Sequence, residues 1–172
     1  VDADNGLFTI DSSPASSVAG GGSTTFTITF APASTGSKSA EISIVNSDSD
    51  EGTYKFTITG TGAAAAAPEI NIVGGSTNIA DSGSYSMGSA KQGETLDVTF
   101  TIQNLGTADL ALTGDPRVSV SGASSSLFTV TSQPVSPISA GSSSTFTIRF
   151  APGATTTAGT KNVTITVSND ED

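Results

Sequence analysis

The sequence predicts an all-β protein built from antiparallel β-sandwiches. One observation is that apolar residues alternate with Thr and Ser at a period of two, as in Thr25–Phe30, where Phe26, Ile28 and Phe30 point one way and Thr25, Thr27 and Thr29 the other. Another is that Val, Ile, Thr and Phe fill such runs while Gly, Pro, Asn, Asp and Ser collect between them. Many short strands of this kind, at regular spacing with turns between them, belong to antiparallel sandwiches. A third is self-similarity: Leu7–Pro32 matches Leu127–Pro152 at 15 of 26 positions without a gap, an offset of 120 residues. That period has the length of one sandwich domain and is far longer than a solenoid repeat.

Taken in chain order, the predicted strands begin with Leu7–Ile10 and Thr25–Phe30. Gly20-Gly21-Gly22 makes a wide turn between these two; it precedes a strand and lacks Lys, so it is not a phosphate loop. Ala40–Val45 and Tyr54–Thr59 follow, then Glu69–Val73 and Leu96–Gln103. Asn104-Leu105-Gly106 reads as a hairpin turn into Ala108–Leu112, with Gly106 supplying a positive φ. Arg117–Ser121, Leu127–Thr131, Thr145–Phe150 and Lys161–Ser168 complete the set. Pro32 and Pro152 stop their strands because proline has no N–H to give to the ladder. No window is helically amphipathic, and Ala63–Ala67 is too short for a stable helix, so it reads as an extended hinge.

The organisation that follows is residues 1–62 as the C-terminal half of one repeat, 63–67 as an Ala-rich hinge and 68–172 as a repeat lacking its last strand. Past the gapless match, Ala40–Asp50 corresponds to Asn162–Asp172 after a short insertion. The chain starts at Val1 without a charged-then-apolar leader, and both end repeats are incomplete, so the expectation is a mature product or a window of a longer tandem array.

Composition excludes several kinds of chemistry. Among 172 residues there are 28 Ser and 26 Thr, no Cys, Trp or His, and a net charge of −10. A polyanion does not bind nucleic acid by counterion release. Without Cys or His there is no thiol nucleophile, serine–histidine triad, structural zinc site or disulfide. No apolar run approaches the roughly 18 residues that a membrane span needs. Acidity, Ser/Thr richness and scarcity of Lys favour a prokaryotic cell surface over the cytosol.

Phe26–Pro32 and Phe146–Pro152, Phe100–Leu110, Ser168–Asp172, and Gly60-Thr61-Gly62 followed by the Ala run and Pro68–Ile72 carry a resemblance in both content and order. Together they resemble the bacterial choice-of-anchor D repeats, of the ASPM–SPD-2–Hydin group of immunoglobulin-like sandwiches. The resemblance covers nearly the whole chain. It implies tandem immunoglobulin-like antiparallel β-sandwiches in an extracellular, surface-attached protein with no catalytic residues. The C-terminal sorting signal usual in that family is not present in these residues.

Two acidic loops are the candidates for metal chemistry: Asp48, Asp50 and Glu51, and their counterparts Asp170, Glu171 and Asp172. Calcium takes about six to eight hard oxygen ligands, but the EF-hand spacing is missing, and such loops ordinarily bond their own backbone N–H groups. Val1–Gly6 is a further acidic loop, whose counterpart Ser121–Ser126 has no carboxylate. No catalytic, cofactor-binding or metal-ligating residue is assigned. Asn162-Val163-Thr164 is a formal glycosylation sequon inside a predicted strand and reads as chance. Outward Thr columns suggest ice or glycan binding, yet they are what strand alternation produces in any case.

The expected function is a non-enzymatic spacer, fibre or adhesin stalk at a prokaryotic surface, partnered by neighbouring repeats or identical subunits, without nucleic acid, membrane insertion or cofactor. Strand complementation, in which Tyr54–Thr59 of a neighbour pairs with the exposed edge of the second repeat, would polymerise it. The alternative is an adhesin domain holding a glycan or protein by its end loops, for which Tyr85 is the plausible contact.

Overall fold

The computed structural model describes residues 5–171, and they form two compact units, one running to Ala65 and the other beginning at Ala66. Every strand pairing is antiparallel and no α-helix is present among the described residues. The predicted all-β, antiparallel, immunoglobulin-like class is therefore observed.

The second unit carries β5 (Ile70–Gly74), β6 (Thr77–Ile79), β7 (Leu96–Asn104), β8 (Val118–Ser121), β9 (Phe128–Ser132), β10 (Ser143–Phe150) and β11 (Thr164–Val167). One sheet has the order β6-β5-β7-β10-β9, and β11 pairs with β8 in another. Alternation in β7 turns Leu96, Val98, Phe100, Ile102 and Asn104 to one side, and the last three are buried. Phe100 stacks on Phe146 of β10 at 5.1 Å, and these rings lie in one core with Ile102, Ile148, Leu110 and Val118.

Asn104 ends that inward row and is fully buried. Its Nδ2 donates to the carbonyls of Ala108 and Ile138, both at 2.8 Å, and its Oδ1 accepts from the N–H of Gly106 at 3.0 Å and of Glu69 at 3.3 Å. Both donors and the acceptor of the amide are thus used, which is what allows a polar side chain in this position.

The expected hairpin turn at 104–106 is not formed. Gly106 is not in the left-handed region. Its backbone instead lies against residues 67–69, where a Cβ would sit 2.3 Å from the Ala67 carbonyl oxygen. That carbonyl accepts from Thr107 and Ala108, so the end of the Ala run is bound into the second unit. Ala108–Leu112 is not a strand either: Leu110 pairs with Ile138 and Leu112 with Asn169, so the segment changes partner within two residues and no ladder grows. The short β6 escaped the sequence reading because three residues show no periodicity. Asn162 lies before β11 and is exposed, outside the strand predicted to contain it.

The first unit carries β1 (Phe8–Ser12), β2 (Thr27–Phe30), β3 (Gly36–Val45) and β4 (Thr53–Gly62), paired as β1-β2 and β3-β4. The last two run longer than predicted because Gly36–Ser39 and Gly60–Gly62 extend the ladder without apolar residues to mark it. Phe30 lies flat over Gly60, where a Cβ would come within 2.6 Å of the ring. The β1–β2 hairpin duplicates β9–β10: Phe8 faces Phe30 as Phe128 faces Phe150, and Ile10 faces Ile28 as Val130 faces Ile148. A bulge falls at Asp11 and at Thr131, and both Phe pairs stack at 4.7 Å.

The two hairpins differ in burial. Phe146 is 2% exposed whereas its counterpart Phe26 is only half-buried. Phe146→Ala is expected to cost about 3–5 kcal/mol of unfolding free energy, and Phe26→Ala clearly less, read from urea unfolding curves. Asn104→Ala, which removes the bonds to the Ala108 and Ile138 carbonyls and to the Gly106 and Glu69 N–H groups, is expected to cost about 3 kcal/mol in the same assay.

Candidate functional site

The acidic loops are closed by asparagine side chains. In the loop joining β3 to β4, Asn46 Oδ1 accepts from the Asp48 N–H at 2.7 Å, and Asn46 Nδ2 donates to the Glu51 carbonyl at 2.8 Å. The Asp48 carboxylate accepts from the Asp50 N–H at 3.1 Å. Hydrogen bonding from Asp50, first its side chain and then its backbone, holds the Asp48 carboxyl below the usual carboxylate range.

After β11 the same device recurs: Asn169 Oδ1 accepts from the Glu171 N–H at 2.9 Å, and Asn169 Nδ2 donates to the Val167 carbonyl as Asn46 Nδ2 does to Ile44. Asn46 therefore matches Asn169, and Ile42 and Ile44 match Ile165 and Val167. The correspondence is one residue further along than Ala40–Asp50 with Asn162–Asp172. A one-residue slip would turn each inward side chain outward, so the strand phase decides the register.

The carboxylates of the second loop serve the fold. Asp170 accepts from the Ala111 N–H at 2.8 Å, and Glu171 accepts from the Ile70 N–H across 101 residues of chain. Among the described residues no three acidic side chains are grouped to hold a metal ion. Asp172 and the acidic positions of Val1–Asp4 lie outside the described residues.

Tyr85 is not a free contact residue at a loop tip. Its ring packs edge-on against Phe100 at 5.2 Å and covers Gly74, where a Cβ would come within 2.6 Å of the ring. A cleft of about 420 Å³ in the second unit is bordered by Leu112, Arg117 and Gln133. Two of its polar side chains are engaged: Gln133 bonds both backbone groups of Val118 at 2.9 Å, and Arg117 donates to the Pro134 carbonyl at 3.0 Å. The outward face of the large sheet joins Thr99 to Thr147 at 3.0 Å and Asp97 to Arg149 in a bidentate pair at 2.7 Å. The Arg149 guanidinium holds the Asp97 carboxyl below its ordinary value.

The first unit holds a cleft of about 230 Å³ between its two ribbons. Ile10, Pro14 and Phe26 border it on one side and Ile42, Ile44 and Val45 on the other. Ile10 and Val45 are exposed, and Val18 near the cleft's start in sequence is 48% exposed. These residues have the composition of a core with one side uncovered. Sequence reading did not single out the cleft, although the unequal burial of Phe26 and Phe146 follows from what each unit has to cover them.

The CARDB family model matches residues 78–172. No curated protein and no solved structure matches the chain. No helix among the described residues is long and apolar enough to cross a membrane.

Since the Asp48, Asp170 and Glu171 carboxylates accept from backbone N–H groups, millimolar Ca²⁺ or chelator is expected to leave the melting temperature unchanged in differential scanning calorimetry. Arg149→Ala is expected to raise the Asp97 carboxyl toward 3.8 in an NMR titration. A carboxyl depressed by folding contributes stability above its unfolded pKa and loses it as the pH falls through the folded value. The variant should accordingly lose this contribution at neutral pH, and its stability should converge with that of the parent on acidification.

Proposed function

The chain belongs to the CARDB family of non-catalytic, immunoglobulin-like, surface-associated modules, and from that premise we propose that it is a structural spacer or stalk segment in a tandem array outside a prokaryotic cell. The match takes in the Phe100–Leu110, Phe146–Pro152 and Ser168–Asp172 motifs, and the family is the one that they resembled. The observation that carries the spacer reading is the duplicated hairpin, with its stacked Phe pair and its bulge at an offset of 120 residues. The second unit packs Phe100, Ile102, Leu110, Val118, Phe146 and Ile148 into a core of its own. An acidic Ser/Thr surface with a net charge of −10 stays hydrated and resists non-specific association. No enzymatic role is part of this reading, and the Asp48, Asp170 and Glu171 carboxylates bond backbone N–H groups.

Strand complementation is its finer part. Among the described residues of the second unit β11 pairs with β8, whereas the equivalent β3 of the first unit pairs with β4. In this reading a β4-type strand such as Tyr54–Thr59 of another copy pairs along β11.

Small-angle X-ray scattering tests the spacer. A single compact body of this length would have a radius of gyration of about 16 Å, and a spacer is expected to exceed it clearly. Multi-angle light scattering tests complementation: masses at multiples of one chain, rising with concentration, are expected. A monomer at every concentration would reject complementation and leave the spacer reading standing.

A further inference from the structure

We infer that Gln133 guards the free edge of β8, holding with its side chain the hydrogen-bonding positions that a strand of a second copy would otherwise take. β8 has β11 on one edge and no strand on the other among the described residues. Gln133 Nε2 donates to the Val118 carbonyl and Gln133 Oε1 accepts from the Val118 N–H, both at 2.9 Å. A residue in an antiparallel ladder turns its N–H and C=O to the same side, and successive residues turn to opposite sides. Val118 therefore faces away from β11 although it lies opposite Val167, and Val120 faces away with it. The Gln133 amide gives Val118 the donor and the acceptor that one residue of a neighbouring strand would give.

The surroundings serve the same end. Arg117 donates back to the Pro134 carbonyl at 3.0 Å, and Pro134 is fully buried, so the segment carrying Gln133 is pinned beside β8. Proline has no N–H, which denies that segment a ladder of its own at this point. β9, the edge strand just before it, is bulged at Thr131, and a bulge twists an edge away from partners. Gln133 itself is exposed, so its bonds hold a position at the surface and its burial stabilises little.

β8 holds one edge of β11, and a strand following β11 as β4 follows β3 takes the other, so the free edge of β8 is left to Gln133 in either case. The occupant kept out is the same edge of a second copy. Two β8 strands meeting antiparallel, with a two-fold axis at Ser119, set Val118 of each copy opposite Val120 of the other. Both outward-facing residues of each strand then find a full pair of ladder bonds, which makes the edge complementary to itself. With Gln133 in place, Val118 has nothing left to offer and that pairing loses half of its bonds. The guard is independent of the spacer reading, since it rests on the bonds of Gln133.

The test is hydrogen exchange resolved by segment on the parent chain and on Gln133→Ala and Gln133→Met, at protein concentrations from about 10 μM to about 1 mM. Methionine keeps the length of glutamine but cannot reproduce its paired donor and acceptor. In both variants exchange across Val118–Ser121 is expected to be faster than in the parent at the lowest concentration, and to slow by about tenfold as the concentration rises. The parent is expected to show no concentration dependence there, even where strand complementation protects Thr164–Val167. No slowing in either variant, slowing in the alanine variant alone, or equal slowing in the parent would each overturn the inference. Loss of protection across Phe100–Ile102 in both variants would overturn it too, by showing that Gln133 holds the core together.

Discussion

The amide of Asn104 is the interaction on which the second unit's architecture turns. It lies at the buried end of a row of inward apolar residues, where an unpaired polar group is costly. Each of its contacts closes a different piece of irregular chain: the Ala108 carbonyl after β7, the Ile138 carbonyl before β10, and the N–H of Glu69 ahead of β5. The bond to Gly106 shapes the turn itself, and the missing Cβ of that residue lets the chain lie against 67–69. One side chain thereby fixes segments that no sheet ladder reaches. Leu110 and Leu112, buried without belonging to a strand, are held in the core by the path it imposes.

Alternation made the long strands legible, and the strands found by it lie where predicted to within a few residues. Gly-rich extensions such as Gly60–Gly62 were not legible, because a glycine paired in a ladder leaves no apolar mark. Asn104 was misread for a related reason. Asn and Gly two positions apart look like turn chemistry, yet the phase running from Leu96 through Ile102 places Asn104 inward. Only a fourfold set of partners makes that position acceptable, and all four lie outside any strand, with Glu69 and Ile138 far from Asn104 in sequence. The loops were better served: Asn46 and Asn169 bond neighbouring backbone as short polar side chains in turns do. Tyr85 illustrates the limit, since an aromatic among Ser and Gly looks exposed until Gly74 provides the flat surface it covers.

The duplicated hairpin separates what local sequence decides from what its surroundings decide. Register, bulge and the stacking of Phe8 on Phe30 or Phe128 on Phe150 are the same in both units, so they belong to the hairpin. Burial of Phe146 and Ile148 belongs to β7 and the segment after it. The identical residues Phe26 and Ile28 have no such neighbour among the described residues, and their apolar surface stays partly in water. Substitution at position 29 or 149 likewise follows its surroundings: Arg149 meets Asp97 on β7, whereas Thr29 bonds to Asp11 on β1.

The bond from the Ile70 N–H to the Glu171 carboxylate joins the two extremes of the second unit. During synthesis that unit cannot complete its fold until residue 171 has left the ribosome, by which time β5 and β7 have long been outside. Non-local closure of this kind belongs to the slow end of single-domain folding, on the order of milliseconds to seconds. The β3–β4 ribbon pairs across a short loop and closes on a far faster clock, on the order of microseconds. While the chain waits for its last strand, the edge of β8 that β11 will occupy is open to any other nascent strand of the same pattern, and crowding of translating copies becomes a hazard that the fold's own topology creates.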